Sequence, residues 1–291
     1  MSIWNADRPV SELVGRWAQP PSKFIKIDGM DVHVRDEGAH DAKPPVILLH
    51  GTGNSLHTWD GVAQRLKNDY RVISLDRPGF GLTGPNPSGD YSMEYYVGFM
   101  QRFLDAMEIE RCVLVGSSAG GRVAWRFAVA EPSRVERLVL IGAAGYPRTT
   151  PQALGFRLAM SPIGSFILHV LPKSSMANSV RRTYGDPSKV TDEVIDRSYE
   201  VFLREGVRDA LGPALRQARS SDDYPLIKNI LTPTLIIWGT KDSVVPLTNA
   251  ERFNADIPGS QRVVLPGVGH LPQEEAPAET AAALEAFLSN L

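Results

Sequence analysis

The sequence of 291 residues holds a single cysteine, Cys112. One thiol makes no internal disulfide and no cysteine-built zinc site, so disulfide-rich secreted scaffolds are excluded. Charge of either sign is scarce as a surplus. There are 31 basic and 33 acidic residues, a formal net charge of −2. Nucleic-acid binders concentrate basic charge on one face, and this balance offers no such footprint. A long apolar run is also missing. The most apolar stretch, 153–171, is interrupted by Arg157 and Pro162. It falls short of the roughly 20 uninterrupted apolar residues of a membrane helix. The first residues carry charges throughout, so no signal peptide is expected. Repeats and low-complexity tracts are absent. What remains is the expectation of a soluble intracellular enzyme with one large core, or one core and a smaller appended domain.

What is present is alternation. Segments 23–28 and 31–36 alternate apolar and polar residues around Asp28-Gly29, the pattern of a half-exposed hairpin. Short continuous apolar runs follow at 46–49, 71–75, 112–115, 138–141, 235–238 and 262–265, as expected for strands buried on both faces. Helical patterns fall between them at 58–66, 92–107, 119–130, 248–253 and 277–288. Strand–helix alternation of this kind predicts an α/β fold, a mostly parallel sheet with helices on both faces. The alternation stops over 147–224, a helix-like segment with breakers at Pro162, Pro172, Pro187 and Pro213. It is too long for an ordinary connection and reads as a helical insertion between two strands.

The chemistry-bearing residues sit at strand ends. Gly116-Ser117-Ser118-Ala119-Gly120 matches G-x-S-x-G between an apolar strand and a helix. The sharp turn exposes the middle serine, and Gly116 and Gly120 remove Cβ atoms that would collide there. Ser118 is therefore the candidate nucleophile, and Ser117 a turn residue. His50-Gly51-Thr52-Gly53 ends an earlier strand. Its loop offers the Thr52 N–H as one half of an oxyanion hole and the Ala119 N–H is the other, with Gly51 and Gly53 giving the loop its freedom. His50 reads as a loop brace. Asp242 follows the 235–238 strand, and His270 lies in the glycine-bracketed loop after 262–265. The chain order Ser118, Asp242, His270 is that of the G-x-S-x-G hydrolases, with His270 as base and Asp242 orienting it.

Together, HGTG, DRPGFGLTGP, GSSAGG, GTKDSVVP and GVGHLPQEE resemble the α/β-hydrolase superfamily across nearly the whole chain outside the insertion. The resemblance implies an eight-stranded sheet, a catalytic domain from 1–146 and 225–291, and a helical cap over 147–224 inserted after the sixth strand. It implies ester or related acyl hydrolysis of a small-molecule substrate without a cofactor. A serine at 118 sets the chain apart from dehalogenases and epoxide hydrolases of similar outline, which use aspartate there. The leading expectation is a serine carboxylesterase for small to medium apolar esters. The alternatives are a carbon–carbon bond hydrolase acting on vinylogous diketones and a perhydrolase- or haloperoxidase-type activity on the same triad. A silent binding module on the same scaffold is a further one. Carbon–carbon bond hydrolases usually carry a bulkier residue than Ala119 after the serine.

Other features have plainer readings. Gly79, Gly81 and Gly84 spell G-x-G-x-x-G, but prolines at 78, 85 and 87 leave no room for the helix that a dinucleotide site needs. Asp76 is expected to brace that loop. His33, His40, His57 and His169 show no metal-ligand spacing. Cys112 reads as a packing residue. In the insertion, Phe156, Met160, Phe166, Ile167 and Leu171 recur at helical spacing, as cap packing or as substrate pocket, with Met176, Phe202 and Leu203 behind them. Arg181 and Arg182 are candidates for a substrate carboxylate. Segment 10–17 reads as an amphipathic helix resting on the cap or on a partner.

Overall fold

A computed structural model describes residues 4–39, 43–147, 154–218 and 222–289. The hairpin pairs β1 (Ser22–Ile27) with β2 (Met30–Gly38). Its turn has positive φ at both Asp28 (52°) and Gly29 (77°), which a two-residue hairpin of this twist requires. The buried apolar runs form β3 (Val46–Leu49), β4 (Arg71–Leu75), β5 (Cys112–Ser117), β6 (Val135–Ile141), β7 (Thr234–Gly239) and β8 (Gln261–Leu265). The eight strands lie in the order β1-β2-β4-β3-β5-β6-β7-β8. β2 runs antiparallel to its neighbours, and all later pairs are parallel.

Strand residues point alternately to opposite faces, so each run feeds two cores. Ile47 and Leu49 join Phe99, Phe103 and Trp125 on one face, under helices Met93–Ala106 and Ala119–Ala130. Val46 and Leu48 join Val62, Leu66, Leu284 and Phe287 on the other, under Asp60–Leu66 and Pro277–Leu288. Truncating one such fully buried leucine to alanine would cost about 2–5 kcal/mol. This architecture fixes the carboxyl ends of β3, β5, β7 and β8 along one edge, where ligands bind in sheets of this kind.

Between β6 and β7 the described residues form helices Leu154–Ala159, Gly164–His169, Lys173–Arg181, Asp192–Phe202 and Val207–Ala218. Thr191 caps the fourth through the Val194 N–H. Pro213 lies inside the fifth rather than ending it; a proline removes one helical N–H, and this helix absorbs the loss. Segment Val10–Trp17 is a helix and rests on this insertion. Leu13 and Trp17 bury against Leu82 and Val201. Trp17 Nε1 and Arg16 donate to Glu200, both at 2.7 Å. Upstream, Asn5 donates to the carbonyls of His169 and Leu171. Among the described residues no helix is long and apolar enough to cross a membrane.

Candidate active site

β5 runs directly into helix Ala119–Ala130, and Ser118 is the hinge between them. Its backbone stands at φ 54°, ψ −119°, a region costly for a residue with a side chain. Two bonds sustain it: Ser118 N–H donates to Ile141 O, and Ala144 N–H donates to Ser118 O, each at 2.9 Å. A Cβ on Gly116 would stand 2.6 Å from the Gly121 Cα, and one on Gly120 would stand 2.8 Å from the Leu49 carbonyl carbon. Strand and helix therefore meet without side chains between them. Ser117 is wholly buried, its hydroxyl accepting from Gln273 Nε2 at 3.2 Å, as befits a turn residue.

The loop after β3 lies against the serine: a Cβ on Gly51 would come within 2.9 Å of Ser118 Cβ. Thr52 and Ala119 flank the hinge, and among the described residues neither N–H has a hydrogen-bond acceptor. Ala119 also opens its helix, where the backbone dipole favours negative charge. His50 is buried beneath. Its Nδ1 donates to Gly51 O at 2.7 Å, while its Nε2 accepts the Arg77 N–H at 3.0 Å. Burial, with the Arg77 charge, pushes its pKa down to about 4. It is a neutral brace with both nitrogens engaged.

Asp242 and His270 meet across the ends of β7 and β8. Asp242 Oδ1 accepts the N–H groups of Val244 and Val245, both at 2.8 Å, and Oδ2 lies 2.8 Å from His270 Nδ1. A carboxylate can only accept, so Nδ1 carries the proton, and in a neutral imidazole Nε2 would be the acceptor. Among the described residues Nε2 has no hydrogen bond, nor does the Ser118 hydroxyl. The turn after β6 links the two: Ile141 accepts from Ser118, and a Cβ on the next residue, Gly142, would lie 3.2 Å from both Asp242 Oδ2 and His270 Nδ1. The structure thus brings to one edge of the sheet an oriented imidazole, the half-buried Ser118 hydroxyl and two N–H groups that have no acceptor among the described residues. Such a set can take a proton, attack a carbonyl and hold the resulting oxyanion.

A cavity opens beside this loop. Gly53, Asn54 and Phe80 line it from the sheet domain, and Ser198, Val201 and Phe202 from the insertion. Among the described residues, no charged side chain lines it. None of Phe156, Met160, Phe166, Ile167 or Leu171 does either. Phe156, Met160 and Leu171 pack on the main core. Phe166 is 58% exposed and leans on Trp4, with ring centroids 5.9 Å apart. Helix Gly164–His169 turns Leu168 and His169 inward instead, so Phe166 and the half-buried Ile167 fall on its outer side. Of the candidates behind them, Phe202 is in the cavity, Leu203 is buried and Met176 packs on the core. Arg181 and Arg182 do not reach it; Arg182 offers its carbonyl to Ser243 Oγ at 2.8 Å.

Some functional neighbours escaped the sequence reading. His33, His50 and His57, apart in sequence, gather around buried Asp76. Its carboxylate takes His33 Nδ1 (2.8 Å), Leu56 N–H (2.6 Å) and Leu82 N–H (2.7 Å). The bracing of the glycine loop is thus by backbone bonds, while Arg77 turns away to His50 O. Gly79 N–H meets Gly84 O at 2.7 Å, and the next helix begins only at Met93. Asp7, His169 and Asp209 offer ligand atoms within 4.8 Å of one another, but Arg208 already pairs with Asp7. Cys112 is buried, which pushes its thiol up to about 12.

Comparison with known proteins places these features in context. A family model described as the alpha/beta hydrolase fold matches residues 44–277. The chain is 33% identical, over 87% of its length and 91% of the relative's, to a 2-hydroxy-6-oxo-2,4-heptadienoate hydrolase of Pseudomonas putida. It is 29% identical to a 2-hydroxymuconate semialdehyde hydrolase of a Pseudomonas species, over 90% of this chain and 91% of that one. Among solved structures, a meta-cleavage product hydrolase from Pseudomonas fluorescens superposes with a TM-score of 0.79 at 31% identity, covering 92% of this chain and 97% of that one.

Proposed function

We propose a reaction for this chain from the premise that it belongs to the α/β-hydrolase fold family: serine-dependent hydrolysis of a carbon–carbon bond beside a ketone in a vinylogous diketone. The observation that carries the chemistry is the 2.8 Å bond by which Asp242 orients His270 at the edge that holds Ser118. The choice of bond is supported by the relatives, whose names are those of meta-cleavage product hydrolases.

In this reading His270 Nε2 takes the Ser118 proton as the hydroxyl attacks the ketone carbon. The Thr52 and Ala119 N–H groups hold the oxyanion. Collapse breaks the carbon–carbon bond of the keto tautomer, in which the dienol proton has moved to the carbon beside the ketone, and the electron pair leaves as an enolate delocalised along the conjugated chain. His270 returns the proton to that carbon, and an acyl group stays on Ser118. Water, deprotonated by His270, then releases the acid and restores the serine. The insertion, 147–224, acts as the lid, consistent with its docking at the base loop, where Thr183 O accepts the His270 N–H and Glu275 takes the Gly185 and Asp186 N–H groups.

Carboxylic ester hydrolysis is the second reading, because the same steps run with an alkoxide leaving group and because Ala119, rather than a bulkier residue, follows the serine. A panel decides between them: kcat/KM for a 2-hydroxy-6-oxo-hexa-2,4-dienoate against a p-nitrophenyl ester of matched size. The proposal expects the dienoate to be turned over faster. A clear preference for the ester transfers the site to the second reading.

A further inference from the structure

Glu275 lies five residues beyond His270 and is only 6% exposed. Its carboxylate accepts three backbone N–H groups. Oε2 takes Gly269 at 2.7 Å and Gly185 at 2.9 Å, and Oε1 takes Asp186 at 2.8 Å. Gly269 immediately precedes His270, whereas Gly185 and Asp186 belong to the insertion. The next amide is committed in the same direction, since His270 N–H donates to Thr183 O at 2.6 Å. The two loops also touch without side chains: a Cβ on Gly185 would stand 2.8 Å from the Gly269 nitrogen. Ser243, next to Asp242, adds its hydroxyl bond to Arg182 O at 2.8 Å.

We propose that Glu275 is a positioning residue for His270, locking the insertion loop 183–186 onto the loop 267–270 so that this end of the insertion is part of the catalytic frame. The physical reason is the donor set. An ionised carboxylate accepts several N–H bonds at once, and such bonds are about twice as strong as neutral ones. Without it, the buried Gly269 amide and the two part-buried amides of Gly185 and Asp186 lose their acceptor. The insertion cannot lift at residues 183–186 without pulling on the backbone that aims the imidazole. The inference rests on the reading of His270 as the base.

The test is Glu275→Gln. Its amide replaces one acceptor oxygen by an NH2, so either Asp186 or the Gly185–Gly269 pair faces a donor. Misplacing a catalytic group by about 1 Å costs on the order of 100-fold, so kcat should fall by about that factor while KM moves by less than about threefold. A slackened Asp242 bond stabilises the imidazolium less, so the acid limb of kcat/KM should move to lower pH, and the downfield Nδ1 proton resonance should weaken. A residue that only stabilises the fold would lower Tm and move neither. The wild-type protein supplies a second measurement: hydrogen exchange at Gly185, Asp186 and Gly269 should be slow and matched. Wild-type kcat and an unmoved acid limb in Glu275→Gln, or fast exchange at Gly185 and Asp186 alone, would overturn the proposal. If Ser118→Ala stays active, it is the reading of the reaction that fails instead.

Discussion

Asp76 with His33, and Asp242 with His270, are joined by the same bond: carboxylate oxygen to Nδ1 at 2.8 Å. Both carboxylates follow parallel strands at one edge of the sheet, β4 and β7. The difference lies in the second ring nitrogen. His33 Nε2 meets Ser22 Oγ at 2.9 Å, and both members of the pair are wholly buried. His270 Nε2 meets no hydrogen-bond partner among the described residues. One pair is saturated and holds loops together; the other leaves its far ring nitrogen unengaged. A carboxylate–histidine bond alone therefore does not mark a catalytic centre. What matters is whether the far nitrogen is engaged.

Exchanging each carboxylate for its amide separates the two pairs most strongly. Asp242→Asn should lower kcat by about 10,000-fold by admitting the wrong imidazole tautomer, with little change in Tm. Asp76→Asn should act on stability, costing about 3 kcal/mol because it breaks a buried, fully bonded group. Its activity per folded molecule should stay close to wild type. Kinetics and urea unfolding on both variants check this, and a matched loss of activity in the two would erase the distinction.

Acid should sharpen the contrast with a smaller effect. Burial pushes His50 down to about 4 and His57 down to about 3, against 6.5 in the unfolded chain. A depressed histidine binds its proton more readily when unfolded, so stability is full above pH 6.5 and declines as pH falls toward 4 and 3. Burial alone would raise Asp76, but the charge and hydrogen bond of His33 outweigh it and hold the carboxyl well below its usual range. Its share is present above about pH 4 and is lost on further acidification. Urea midpoints from pH 7.5 to 4.5 should therefore fall steadily, beginning near pH 6.5. A flat profile would show that these histidines are not held neutral.

Much of the sheet domain was legible because its signals are local. Asp28-Gly29 marks a hairpin, the apolar runs mark buried strands, and Gly116 to Gly120 mark the turn that exposes Ser118. The order Ser118, Asp242, His270 then places three groups on one edge. The insertion was less legible. Helical spacing groups Phe156, Met160 and Phe166 on a stripe but does not say what covers it, and Phe166 faces Trp4 rather than a pocket. Asp76 was legible as the brace of the glycine loop, but its histidine partner was missed, as was Glu275, for a related reason. Glu275 meets acceptor-seeking amides 89 and 90 residues away, and Asp76 meets His33 from 43 residues away. No local pattern encodes such partners; they follow only from how the insertion and the sheet loops dock.

The central claim, that Ser118 is the nucleophile of this edge, is tested most directly by a serine-directed phosphonate and intact-protein mass. The account predicts a single phosphonyl adduct on the peptide containing Ser118, abolished in folded Ser118→Ala together with turnover. An adduct on Ser117, or substantial turnover by Ser118→Ala, would contradict it.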